Sequence, residues 1–187
     1  NPRGMVPVIA DEATGAILSE TAAILLYLTE QTGQLAPSLQ DKKGRASCLQ
    51  RLFFLSNSLH ADAQLQYYTD RYTGADLADD VRPHVHKRMR DHFAMIETAL
   101  TAHGGPWLLG EQLSVCDFYL GGCARWSLIA PRHDALERQA VNAHPRLSAL
   151  LERLEGFESV IRAYAAEGTP RSAFFRAPVR SEHTRHN

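Results

Sequence analysis

Cysteine is scarce in this chain: Cys48, Cys116 and Cys123 are the only three among 187 residues. They form neither a CxxC pair nor a dense framework, which excludes a disulfide scaffold and makes a reducing compartment, the cytoplasm, the expectation. Excess charge of one sign is also lacking. Twenty Lys and Arg stand against 21 Asp and Glu, a formal net charge of −1. No global field therefore draws the chain to nucleic acid or to a membrane surface. No apolar run reaches the ~18 residues of a membrane span, and no secretory leader is legible. HExxH does not occur, and His84, His86 and His92 lack the i, i+4 spacing of a helical metal pair, so no metal is expected.

What is present changes character along the chain. Asn1-Pro2-Arg3-Gly4 is turn chemistry. Residues 5–9 read as a short apolar strand with Pro7 inside it, 11–15 as a turn, and 16–18 as a second strand, together a hairpin. From Ser19 the period becomes helical, with Ile24, Tyr27 and Leu28 at i, i+3 and i+4 and Gly33 as C-cap. A two-stranded hairpin is marginal alone, so further strands are expected to join it.

After Leu35-Ala36-Pro37-Ser38 the pattern is almost wholly helical, with helices at about 42–72, 80–102, 114–130, 145–155 and 157–166. The second carries Pro83 near its start and an apolar stripe of Met89, Phe93, Ile96 and Leu100. Gly104-Gly105-Pro106 stops it. From Thr169 onward arginines and histidines lie among prolines, the composition of an extended or disordered tail.

Ser114-Val115-Cys116-Asp117 reads as a capping box, flanked by Leu113 and Phe118 as a hydrophobic staple. The helix behind it is apolar nearly all round and should be a core helix. Cys116 and Cys123 sit on it, seven apart, as buried inert thiols.

Three segments in order carry a family resemblance: Asn1-Pro2-Arg3-Gly4-Met5-Val6-Pro7-Val8, Leu18-Ser19-Glu20-Thr21-Ala22-Ala23-Ile24-Leu25-Leu26-Tyr27-Leu28, and Trp107-Leu108-Leu109-Gly110-Glu111-Gln112-Leu113-Ser114-Val115-Cys116-Asp117. They resemble the NPxGxVP strand, the ES-type helix start and the capping box of cytosolic glutathione S-transferases, and Ser58-Leu59-His60 is similar to the bacterial beta class. The resemblance implies an α+β fragment followed by an all-α region. Residues 1–35 would be the ββα part of a thioredoxin-like domain, 36–41 a linker, 42–168 the helical C-terminal domain and 169–187 the tail. It further implies a βαβ unit ahead of Asn1, which would hold the catalytic Tyr, Ser or Cys, and a homodimer.

The same resemblance assigns glutathione as co-substrate. Met5 and Val6 would meet its cysteinyl backbone by strand addition beside a cis Val6-Pro7 bond. The helix start at Thr21 would take the γ-glutamyl carboxylate, Glu20 the ammonium, and Arg3 the glycyl carboxylate. His60 and Tyr67, with Tyr68 and Tyr72 as further candidates, would line the second-substrate pocket. The activity implied is conjugation of glutathione to small electrophiles. A thiol/disulfide reductase and a non-catalytic interaction module are the alternatives on the same scaffold.

Overall fold

The computed structural model describes residues 4–128, 136 and 139–168. Arg3 and the tail from Thr169 lie outside them. Strands β1 (Val8–Asp11) and β2 (Ala16–Ser19) pair antiparallel, with Val8 opposite Ser19 and Asp11 opposite Ala16. The Asp11 carboxylate accepts from Ala13 N–H at 2.8 Å and from the Tyr27 hydroxyl, which ties the turn to the following helix. Pro7 stands just before β1 rather than inside a strand, so its missing N–H costs the ladder nothing. The Val6-Pro7 bond is cis.

Helix α1 (Thr21–Thr32) ends at Gly33, whose φ of 65° is open to glycine and whose N–H bonds Thr29 C=O. Its packed side is Ala22, Ile24 and Thr29, while Leu28 is exposed, which departs from the stripe read in the sequence.

The long helix expected over 42–72 is interrupted. Helix α2 (Lys42–Phe54) runs into a wide π-helical turn (Leu55–His60), then α3 (Ala61–Tyr67) and α4 (Thr69–Thr73). Helix α5 (Ala78–His103) starts earlier than the sequence suggests and holds Pro83 in its second turn. Its stripe is as expected: Met89, Phe93, Ile96 and Leu100 are buried, with Val85. Helix α6 (Val115–Ser127) crosses the centre, followed by the short α7 (Gln139–Asn142), then α8 (Pro145–Glu155) and α9 (Glu158–Ala166). Leu147, Leu150, Leu151 and Leu154 of α8 close the core against α5 and α6.

The capping box forms at the start of α6. The Asp117 carboxylate accepts from Ser114 N–H (2.8 Å), the Ser114 hydroxyl (2.9 Å) and Leu108 N–H (2.8 Å). It is fully buried, and burial pushes its carboxyl above the usual range against the pull of those three donors. Gly105 allows the loop ahead of the box to close, since a Cβ there would lie 2.5 Å from the Gly110 backbone. Val115 N–H donates to Leu35 C=O at 2.9 Å, so the same helix end holds the connection between α1 and α2. Cys48 of α2 and Cys116 of α6 are both buried with sulfurs 3.9 Å apart, and the hydrogen bond with Cys48, followed by burial, raises the Cys116 thiol.

Candidate functional site

A cleft of about 410 Å³ lies between the hairpin unit and the helical body. Gly4 to Pro7 form one edge, and Ser19, Glu20 and Thr21 form the floor. Ser56, His60, Gln64, Tyr68 and Arg71 form the facing wall with Tyr119 and Trp126 of α6. Two of the residue groups singled out from the sequence, Met5-Val6-Pro7 and Glu20-Thr21, thus meet in one place with His60.

Each wall has a local reason. Val6 is 88% exposed, so the segment entering β1 is not covered by the rest of the described chain. Helix α1 begins at Thr21 with no side-chain cap. Its first backbone N–H groups and the positive end of its dipole therefore open toward the cleft, the arrangement that receives carboxylates and phosphates. Glu20 sits at φ 73°, ψ 113°, a backbone region that costs a non-glycine residue about 1–3 kcal/mol and that clusters at functional sites. The floor thus offers donors for an anion at Thr21 and a carboxylate for a cation at Glu20, side by side.

The wide turn delivers His60. It keeps Leu55 and Leu59 buried in the core while Ser56 and His60 line the cleft. Such turns frequently mark functional sites. His60 Nδ1 lies 2.7 Å from the Tyr119 hydroxyl, and its ring packs edge-on against Tyr119 and Trp126. Burial pushes the imidazole below its ordinary pKa, with the Glu20 charge opposing. The Tyr119 phenol is pushed up, mainly by burial, so it stays protonated.

Tyr67 does not line the cleft. Its ring lies 4.7 Å from that of Tyr68 and 5.7 Å from that of Trp126, so it backs two residues that do. Tyr72 is 62% exposed and also lies off the lining. Tyr119 and Trp126 line the cleft without a signal in the sequence: both carry the apolar period of α6, and nothing in the sequence separates a cleft-facing aromatic from a core one. Beyond His60 the cleft continues into an apolar recess of about 380 Å³, between Leu25 of α1 and Phe118, Gly122, Cys123 and Trp126 of α6.

Residues 57–168 match the family described as glutathione S-transferase, C-terminal domain. Among curated proteins, a GST-like protein of Escherichia coli K12, YncG, itself uncharacterized, is 29% identical over 167 residues, 83% of this chain and 76% of that one. Among solved structures, the bacterial glutathione transferase BphK, determined as a ternary complex, aligns with a TM-score of 0.72 at 29% identity, covering 89% of this chain and 76% of BphK. A sphingomonad glutathione S-transferase complexed with glutathione also aligns at 0.72, with 28% identity over 91% of this chain and 77% of its own. The chain belongs to the glutathione S-transferase family. The two-stranded sheet followed by a helical body is that family's architecture as far as the described residues extend. Among those residues no helix is long and apolar enough to cross a membrane.

Proposed function

We propose that the cleft binds glutathione and that the chain serves as a glutathione transferase, joining glutathione to small electrophiles. The observation that carries this reading is the convergence of the Met5–Pro7 edge, the uncapped helix start at Thr21 and the Glu20 carboxylate in one cleft of tripeptide size. Glutathione has a cysteinyl backbone that fits an open strand edge, a γ-glutamyl carboxylate that fits the α1 N–H groups, and an adjacent ammonium that fits Glu20. The sphingomonad relative, complexed with glutathione, supports the same ligand.

In this reading the residues described here bind and orient. Thr21 and Glu20 hold the γ-glutamyl end, and Met5 and Val6 hold the middle. His60 and Trp126 bound the space for the second substrate. Conjugation also requires activation of the glutathione thiol, whose free pKa of ~8.5 leaves only a few per cent thiolate at neutral pH. Cytoplasmic residence and a homodimer accompany the proposal. So does a thioredoxin-like unit over residues 1–35, a linker over 36–41 and a helical domain over 42–168.

The test is titration calorimetry of the full chain with glutathione and with its S-methyl thioether. Both should bind, since the anchoring groups grip the peptide rather than the thiol. No heat from either ligand at millimolar concentration would abandon the enzyme reading in favour of an interaction module.

A further inference from the structure

The His60–Tyr119 pair has a direction. A phenol O–H is a far stronger acid than a neutral imidazole N–H, and an imidazole nitrogen is a far better acceptor than a phenol oxygen. At 2.7 Å between Nδ1 and the hydroxyl, Tyr119 is therefore the donor and Nδ1 the acceptor. A neutral ring accepting at Nδ1 carries its proton at Nε2. No described residue hydrogen-bonds Nε2.

The surroundings say what that N–H would meet. His60 lines both the cleft and the recess behind it, where Leu25, Phe118, Gly122 and Trp126 leave an apolar space of about 380 Å³. Tyr119 is only 7% exposed, and the Ser56 and Thr21 hydroxyls reach its oxygen as donors, so its own O–H is left to His60. Thr21 and Tyr119 also border the recess, Thr21 at the floor assigned above to the peptide and Tyr119 bonded to Nδ1, which leaves the His60 N–H as the donor for a small aryl or alkyl body bearing one oxygen acceptor.

We propose that Tyr119 is a positioning residue that fixes His60 as the Nε2–H tautomer. His60 then offers that N–H to a carbonyl oxygen, so the recess selects small apolar carbonyl compounds. This rests on the reading of the cleft as a glutathione site, where such compounds would be the second substrates. It separates the two aromatic neighbours by role: Trp126 supplies area, and Tyr119 supplies the tautomer.

Long-range 1H–15N NMR of the full chain reads the protonation of each ring nitrogen and decides the first half without any variant. Neutral His60 should show Nε2 protonated and Nδ1 bare, and Tyr119→Phe should release the ring to a mixture of tautomers. Nδ1–H in the wild-type chain, or an unchanged tautomer in Tyr119→Phe, overturns the positioning role. The second half uses 4-phenyl-2-butanone and its hydrocarbon analogue isopentylbenzene. The ketone should shift the His60 Nε2 resonance and the hydrocarbon should not. His60→Phe should weaken the ketone roughly fivefold, the worth of one hydrogen bond, and leave the hydrocarbon unchanged. Equal responses to the two probes overturn the carbonyl selection. Neither readout needs glutathione, so a failed glutathione titration and a failed tautomer measurement sink different claims.

Discussion

The hairpin unit and the helical body solve opposite problems. Among residues 4–33 only Ala22, Ile24 and Thr29 are buried, whereas α5 alone buries Ala78, Val85, Met89, Phe93, Ile96 and Leu100. The body spends its apolar side chains on one another. The hairpin unit leaves backbone and polar groups facing a cleft, and depends on the body for its own placement. Stability and ligand affinity should accordingly be separable by mutation: changes in the body move the unfolding midpoint, and changes in the hairpin unit move binding.

The largest effect should come from the body's centre. Phe93 is 0% exposed, and Phe93→Ala should cost about 4 kcal/mol in urea unfolding, the usual toll of a large buried ring plus its cavity. A loss below ~1 kcal/mol would mean that the body is not the stability centre. Next comes the capping box. Asp117→Asn keeps the volume but turns an amide donor toward a site already filled by donors, and should cost about 2 kcal/mol on the same measurement. Thr21→Val tests the other side of the comparison. Glutathione affinity should fall roughly tenfold while the urea midpoint stays put. If both move together, the two regions are one cooperative unit.

The pH dependence belongs to the boundary between them. His60 has a folded pKa below its unfolded value near 6.5. As pH falls below that value the unfolded chain takes up the proton first. His60 therefore withdraws stability with falling pH until it protonates in the fold as well. Unfolding midpoints across mildly acidic pH should drop less steeply in His60→Phe, and an identical slope would remove His60 from the account. The smallest effect belongs to the exposed hairpin. Ile17 is 74% exposed, and Ile17→Thr should change stability by no more than ~0.5 kcal/mol.

What the sequence revealed divides along the same line. The Met89-Phe93-Ile96-Leu100 stripe, the α6 box and the Gly33 cap were legible because each is a local pattern with one physical reading. The break at Leu55–His60 was not, because a wide turn leaves the apolar positions Leu55 and Leu59 in step with the core. Its only trace is Ser56-Asn57-Ser58, a run of side chains that compete for backbone hydrogen bonds. The cleft was half legible. Glu20, Thr21 and Val6-Pro7 were found through the family resemblance. Trp126 and Tyr119 come from a helix about 100 residues further on, and only the packing of α6 against the wide turn brings them there. The Cys48–Cys116 approach is equally non-local: neither residue carries a mark of the other.

The hydrogen bond from Val115 N–H to Leu35 C=O joins the first turn of α6 to the segment that leaves α1. That amide is one of the helix's orphan donors, and its acceptor is the segment that follows α1. Neither Leu35 nor Val115 lines the cleft, so the bond anchors the far end of α1 rather than the floor itself. The exchange of this one proton with deuterium is therefore a clock for α6 and the α1–α2 connection, ticking once for each parting of the two.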